Sequence, residues 1–299
     1  MLSEQNKERL KEIAAEVYFD EPMSKHTTFR IGGSAEVFID ASSSMEIGAV
    51  IIYCNENNIP YVYMGNGSNL LVKDEGIEGV VISIGSNMSK VQVVDNMIYA
   101  EAGALMSKVA SAALKAGLSG FEALSGRPGT VGGAVFMNAG AYGTEMKDVL
   151  KNVTYIMKDS NVITVDASDL ELSYRHSIFS TNGCIVTGCC FELQHGDAEE
   201  ISMVMRDFAQ RRRDKQPLEY PSAGSTFKRP EGYFAGKLIQ DSGLMGYTVG
   251  GAQVSEKHAG FVVNKGGATA KDVLTLIADV VRIVKEKTGV TLEPEVRII

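Results

Sequence analysis

The sequence predicts an α+β protein of about two domains, with a boundary near residues 195–200. Three observations carry that expectation. The chain has 299 residues, and globular domains hold roughly 150 residues each. Short apolar, β-branched runs bounded by Gly, Asn, Asp or Pro alternate with amphipathic stretches through its first two thirds. Beyond His195 that texture gives way to a long helical pattern, a loop rich in Pro and Gly, and a few short strands.

Taken in order, Leu2, Leu10, Ile13, Ala14 and Val17 fall near helical spacing and predict a first helix ended by Pro22, so that residues 1–24 form an N-terminal helical segment. A second helix is expected at 45–57. Strands are expected at 35–39, 61–64, 80–84, 91–94 and 97–102, then a helix at 105–116 stopped by Gly117. Strands at 149–157 and 162–166 are joined by a turn at Asn161, and a strand at 184–193 completes a first domain over 25–196. A helix over 197–213 carries Ile201, Val204, Met205 and Phe208 on one face and opens a second domain, 197–299. The last long helix starts at Thr269, where Thr269 and Asp272 form a capping pair, runs through Val273, Leu276, Ile277, Val280, Val281 and Val284, and stops at Gly289. A final strand at 292–299 closes the chain.

Composition excludes several classes. Hydrophobic residues at 44% and charged residues at 22% can build a core, which argues against disorder. A net charge of -8, with Arg211-Arg212-Arg213 as the one short basic run, argues against a nucleic-acid partner, because phosphate binding needs clustered cations. Cys54, Cys184, Cys189 and Cys190 have no CxxC spacing and no matching histidines, so no metal site or disulfide framework is expected, only packing thiols. The N-terminus is charged and amphipathic, and no run reaches the ~18 apolar residues that would span a bilayer. A cytoplasmic protein without membrane contact is therefore expected.

Two glycine-rich stretches carry the chemistry of the first domain. GNGSNLLV, residues 65–72, follows the apolar strand at 61–64 directly. It lacks the third glycine of a GxGxxG fingerprint and is no GxxxxGK[ST] loop, and alone it reads as an ordinary hairpin loop. The second stretch places Gly126, Gly129, Gly132, Gly133, Gly140 and Gly143 close together in SGRPGTVGGAVFMNAGAYG. Such density is costly in backbone entropy. A long, flat, phosphorylated ligand lying across backbone amides would account for it, and a dinucleotide is one such ligand.

These two stretches, with HTTFRIGG at 26–33, strongly resemble the FAD-binding domain of the UDP-N-acetylenolpyruvoylglucosamine reductase (MurB) family. The likeness continues in SYRHSIF at 173–179, AGSTFKRP at 223–230, GGAQVSEKHAGFVVN at 250–264 and LEPEVR at 292–297, and so covers nearly the whole chain. It implies an FAD-binding domain of the vanillyl-alcohol-oxidase/PCMH type, built of two α+β subdomains, followed by an α+β substrate-binding domain whose last strand returns to the active site. It also implies a monomer that uses FAD and NADPH to reduce UDP-N-acetylglucosamine enolpyruvate to UDP-N-acetylmuramate in peptidoglycan precursor synthesis. FAD would be held by Gly65, Asn66, Gly67, Ser68, Asn69, Leu70, Gly126, Pro128, Gly129, Thr130, Gly133, Ala134, Asn138, Gly140 and Ala141.

The chemistry states what the catalytic positions must supply. Hydride delivered to the terminal vinyl carbon leaves negative charge beside the carboxylate, and the resulting enolate-like dianion must be stabilised and then protonated. Arg175 takes the family's arginine position, where a guanidinium fork can grip the carboxylate through two hydrogen bonds. Ser225 takes the position of the proton donor, and Glu295 that of the third active-site residue. Tyr174, Lys215, Arg229 and His258 are candidates for the sugar and diphosphate, with Lys215 the best-matched cation. The short interval between Arg175 and Ser225 resembles the subtype without an inserted, tyrosine-bearing loop. Two other readings compete: a flavin oxidase of the same fold acting on a small alcohol or sugar, and a silent nucleotide-sugar sensor.

Overall fold

Outer strands such as Val162–Asp166 alternate more and less buried side chains, inner ones such as Ile185–Glu192 are buried almost throughout, and helical stripes pack against them. The computed structural model describes residues 1–299 and divides into two compact units. The first comprises Met1–Phe19, Val37–Asn66 and Glu78–Arg211; the second comprises Asp20–Glu36, Gly67–Ile77 and Arg212–Ile299. No helix is long and apolar enough to cross a membrane.

In the first unit, helix α1 (Glu4–Ile13) starts where the Ser3 side chain accepts the Asn6 N–H at 3.2 Å, and it buries Leu10. The expected helix ran through Val17. It stops at Ile13, and Val17–Pro22 is a strand. The β-branched Val17 and the aromatic Tyr18 and Phe19 prefer a pleated surface, and Val17 and Phe19 are the more buried of the four residues 17–20. The N-terminal segment is thus helix followed by strand and a short turn of 3-10 helix at Met23–Lys25.

Helix α2 (Ser44–Glu56) is capped by Ser43, and strand Tyr61–Met64 runs parallel to Ile77–Ser83. A five-stranded antiparallel sheet follows in the order Val162–Asp166, Leu150–Ile156, Ile185–Glu192, Met97–Glu101, Val91–Val94. Helix α3 (Met106–Lys115), the short helices α4 (Val131–Phe136) and α5 (Phe179–Asn182), and most of α6 (Ala198–Lys215) belong to this unit. Its core runs from Leu10 to Leu193, and it includes Cys54, Cys184 and Cys189. All four cysteines are free and buried, as expected, and burial pushes the Cys54 thiol up to about 12, which suits packing and not reactivity.

The second unit has its own sheet, ordered Ser222–Ser225, Phe261–Asn264, Ala252–Val254, Thr248–Val249, all antiparallel. Helices α7 (Ala235–Asp241) and α8 (Ala270–Thr288) complete it. Val273, Leu276, Ile277, Val280 and Val284 form the buried stripe of α8, Thr269 and Asp272 form the expected capping box, and Gly289 ends the helix at φ +76°. The Asp74 carboxylate also accepts the N–H groups of Ala270 and Lys271, at 2.8 and 2.9 Å.

The units depart from the expected division at 196/197. Phe29, Ile31 and Leu71, each 2% exposed or less, join the core built around α8. Burying a side chain of this size contributes about 1.5–3 kcal/mol. Residues 20–36 and 67–77 therefore pack with the C-terminal part of the chain, a tertiary choice that local pattern does not record. The expected closing strand at 292–299 shrinks to Arg297–Ile298, which pairs in parallel with Leu70–Leu71.

Candidate active site

The chain leaves strand Tyr61–Met64 at Gly65-Asn66, and within the first unit this turn lies against the second glycine-rich stretch. The Asn66 amide donates to the Pro128 carbonyl at 2.7 Å. A Cβ on Gly65 would stand 2.1 Å from Thr130 Oγ1, so no side chain fits there. Pro128–Thr130 is fixed in turn by the segment before α3, because Met106 N–H donates to Gly129, and Val131 and Gly132 donate to Ala104 and Ala102, at 2.8–3.1 Å. Gly132 is also constrained, since its Cβ would meet that of Ala102 at 2.9 Å.

Helix α4 grows from this stretch with Thr130 as its N-cap. Local pattern alone hides it, because Gly132-Gly133 disfavours helix; the backbone bonds to Ala102 and Ala104 override that preference. Gly133 is exposed on the first turn, where an added Cβ would meet only Thr130 Oγ1, at 3.5 Å. Gly140 has a different explanation, since its Cβ would collide with Glu145 across the small hairpin Gly140–Ala141/Thr144–Glu145.

Asn138 is expected to hold cofactor, yet its amide is used inside the protein. It is fully buried at φ +42°, donates to Glu145 Oε2 at 3.0 Å and to the Ser173 carbonyl at 2.9 Å, and accepts the Lys147 N–H at 3.0 Å. Both donors and the carbonyl oxygen are thereby occupied. Nothing in its sequence context marks this role.

Tyr174 and Arg175 form a tight turn closed by the reciprocal bonds of Ser173 and His176, at 3.2 and 3.1 Å. Arg175 adopts φ +54°, a left-handed backbone that costs a residue other than glycine about 1–2 kcal/mol. Its guanidinium carbon lies 4.9 Å from the centre of the Tyr174 ring.

In the second unit, Gly67 at φ +59° packs on His26, whose carbonyl oxygen a Cβ would approach to 2.2 Å, and its own carbonyl accepts the Thr28 N–H. Asn69 donates from its amide to the Glu295 carbonyl at 3.2 Å, and its own carbonyl accepts the Arg297 N–H at 3.0 Å. The Glu295 N–H donates to the Thr226 carbonyl at 2.8 Å, and Phe227 bridges to Pro294. These bonds set the exposed Ser225 one residue from the partner of Glu295. A bulge at Gly224, φ +78°, breaks the register between Ser222 and Ser225.

The diphosphate candidates also lie here. Lys215 ends α6 and is exposed. The Arg229 guanidinium stacks 3.9 Å from the Phe234 ring centre and donates from Nε to the Tyr233 carbonyl at 3.2 Å. His258, expected as a cation, is half-buried, and desolvation first and the Lys215 charge next hold its pKa below the ordinary histidine value. Nδ1 accepts the Gly260 N–H at 3.1 Å, so neutral His258 offers an Nε2–H donor and not a charge.

Residues 35–166 match the FAD binding domain family, and residues 216–299 match the C-terminal domain of UDP-N-acetylenolpyruvoylglucosamine reductase. A UDP-N-acetylenolpyruvoylglucosamine reductase of Lachnoclostridium phytofermentans is 53% identical over 284 residues, 94% of this chain and 92% of that one. The chain belongs to the UDP-N-acetylenolpyruvoylglucosamine reductase family. A second reductase of this family, from Caldanaerobacter subterraneus, is 50% identical and covers 98% of this chain and 97% of its own. The crystal structure of the Thermus caldophilus reductase aligns with a TM-score of 0.81 at 36% identity, over 95% of this chain and 98% of that one. A Phl p 4 variant with glucose oxidase activity shares only the fold, at a TM-score of 0.50 and 14% identity over 64% of this chain.

UDP-N-acetylenolpyruvoylglucosamine reductases use FAD and NADPH, and the residues present here fit FAD. Gly65 is required by its packing on Thr130, whereas Gly133 leaves an exposed, side-chain-free backbone surface of the kind that a flat, phosphorylated cofactor can approach closely. Residues 126–134 with Gly65 and Asn66 would hold it within the first unit.

Proposed function

We propose that this chain reduces the enolpyruvyl ether of UDP-N-acetylglucosamine to the lactyl ether of UDP-N-acetylmuramate, with NADPH as reductant. The observation that carries the assignment of residues is the pairing of Glu295 with Thr226, which supports a joint role for Ser225 and Glu295. FAD, when bound, supplies the hydride that reaches the terminal vinyl carbon of the substrate.

The chain's own residues handle charge and proton. Arg175 binds the substrate carboxylate through its two-pronged guanidinium, a grip that strengthens as negative charge grows on the enolate. The Ser225 hydroxyl donates a proton to the carbon beside the carboxylate; a hydroxyl is a weak acid, and close placement against a strongly basic carbon compensates. Glu295, whose main chain pairs with the neighbouring Thr226, shapes the field around the substrate carboxylate. Lys215 and Arg229 bind the diphosphate, with His258 adding a neutral Nε2–H donor, and Tyr174 contacts the sugar.

We further propose a cytoplasmic monomer whose partner is the nucleotide sugar alone, serving peptidoglycan synthesis and through it cell shape and division. The test is product analysis: the purified holoenzyme, given NADPH and UDP-N-acetylenolpyruvoylglucosamine, yields one product that has gained two hydrogens for each NADPH consumed. NADPH consumption that ignores this substrate and reduces oxygen instead would sink the reading and favour an oxidase.

A further inference from the structure

The turn that carries Arg175 is clamped at both ends onto the residues at the end of α4. On one side the Asn138 amide donates to the Ser173 carbonyl at 2.9 Å; on the other the Ser177 hydroxyl donates to the Phe136 carbonyl at 2.6 Å. Both anchoring side chains are fully buried. Helix α4 begins at Thr130, inside the stretch that fits the flavin, and spans only Val131–Phe136. A single turn and a half of helix therefore joins the cofactor loop to the mount of Arg175, all within the first unit.

We propose that Asn138 and Ser177 are positioning residues for Arg175. They hold its strained turn at a set distance from the flavin loop, so that the guanidinium is in place before the substrate carboxylate arrives. Buried polar side chains with every group satisfied rigidify what they touch, and a left-handed arginine persists only where its surroundings over-determine it. Asn138 holds more than the Ser173 carbonyl: its bonds to Glu145 and Lys147 fix the amide itself, so the donor cannot swing away. The proposal rests on the reading of Arg175 as the carboxylate ligand.

The test is a double-mutant cycle on the holoenzyme, read separately in the two half-reactions. Asn138→Gly keeps the left-handed backbone at φ +42° accessible while removing the amide, and Ser177→Ala removes the second clamp without touching that backbone. Each is expected to leave flavin reduction by NADPH within about twofold and to slow reoxidation by the substrate about ten- to a hundredfold, the range for a displaced catalytic group. In an Arg175→Ala background the same changes should alter reoxidation by less than about twofold, because the group they position is gone. Equal factors in both backgrounds would overturn the positioning role. If Arg175→Ala alone leaves reoxidation unchanged, the reading of Arg175 fails first and the proposal falls with it. Should Asn138→Gly lose its flavin, Ser177→Ala decides by the same criterion.

Discussion

The Glu295 N–H donates to the Thr226 carbonyl at 2.8 Å, and this backbone bond sets residue 295 beside the neighbour of Ser225, although 225 and 295 lie 70 positions apart in sequence. Asn69 tightens the arrangement by donating to the Glu295 carbonyl. The second unit thus holds the main chain at residues 225 and 295 close together through backbone and Asn69 hydrogen bonds.

Ser225→Ala is expected to leave flavin reduction by NADPH near the parent rate and to slow substrate-driven reoxidation by about a hundredfold or more, the usual contribution of a positioned proton donor. Stopped-flow absorbance resolves the two steps. Equal loss in both would remove Ser225 from the protonation step.

Arg175→Lys keeps the charge and loses the planar fork. Reoxidation should fall by about 10²–10³, since a point charge replaces two aligned donors to a developing anion. Flavin content and the NADPH half-reaction should not change. A lysine variant as fast as the parent would show that charge alone suffices.

Gly65→Ala forces a Cβ to within 2.1 Å of Thr130 Oγ1. Either the loop or the Thr130 cap must move, at a cost of about 1–3 kcal/mol typical of overpacking. The ratio of flavin to protein absorbance should fall and the melting temperature with it. A fully flavinated variant with parental stability would separate this glycine from the cofactor.

The depressed His258 pKa gives stability a pH dependence of known sign. Unfolded histidine titrates near 6.5 and folded His258 lower. Between those values the unfolded chain binds the extra proton, so stability is complete above the unfolded value and declines as pH falls toward the folded one. Melting curves across that window should show the loss, and His258→Gln should flatten it. An unchanged slope in the variant would assign the dependence to other groups.

Sequence pattern makes the sheets of the first unit legible because their strands are either alternating, as at Val162–Asp166, or short apolar β-branched runs, as at Ile77–Ser83, and α8 because its stripe and both caps agree. Helix α4 is illegible because Gly132-Gly133 argue against it and only contacts with Ala102 and Ala104 make it form. The same holds for the second unit, since neither Phe29 nor Leu71 announces which core it joins. Among site residues, the glycine loops and the catalytic candidates stand out through whole motifs. The clamp from Asn138 to Ser173 leaves no trace in sequence, since it links a side chain to a carbonyl 35 residues away.

The most direct measurement is the visible spectrum of the holoenzyme, followed anaerobically as NADPH and then UDP-N-acetylenolpyruvoylglucosamine are added. The account predicts a flavin band that bleaches with NADPH and returns with the enolpyruvyl substrate, one equivalent restoring one flavin. A band that bleaches and stays bleached until oxygen enters would contradict it.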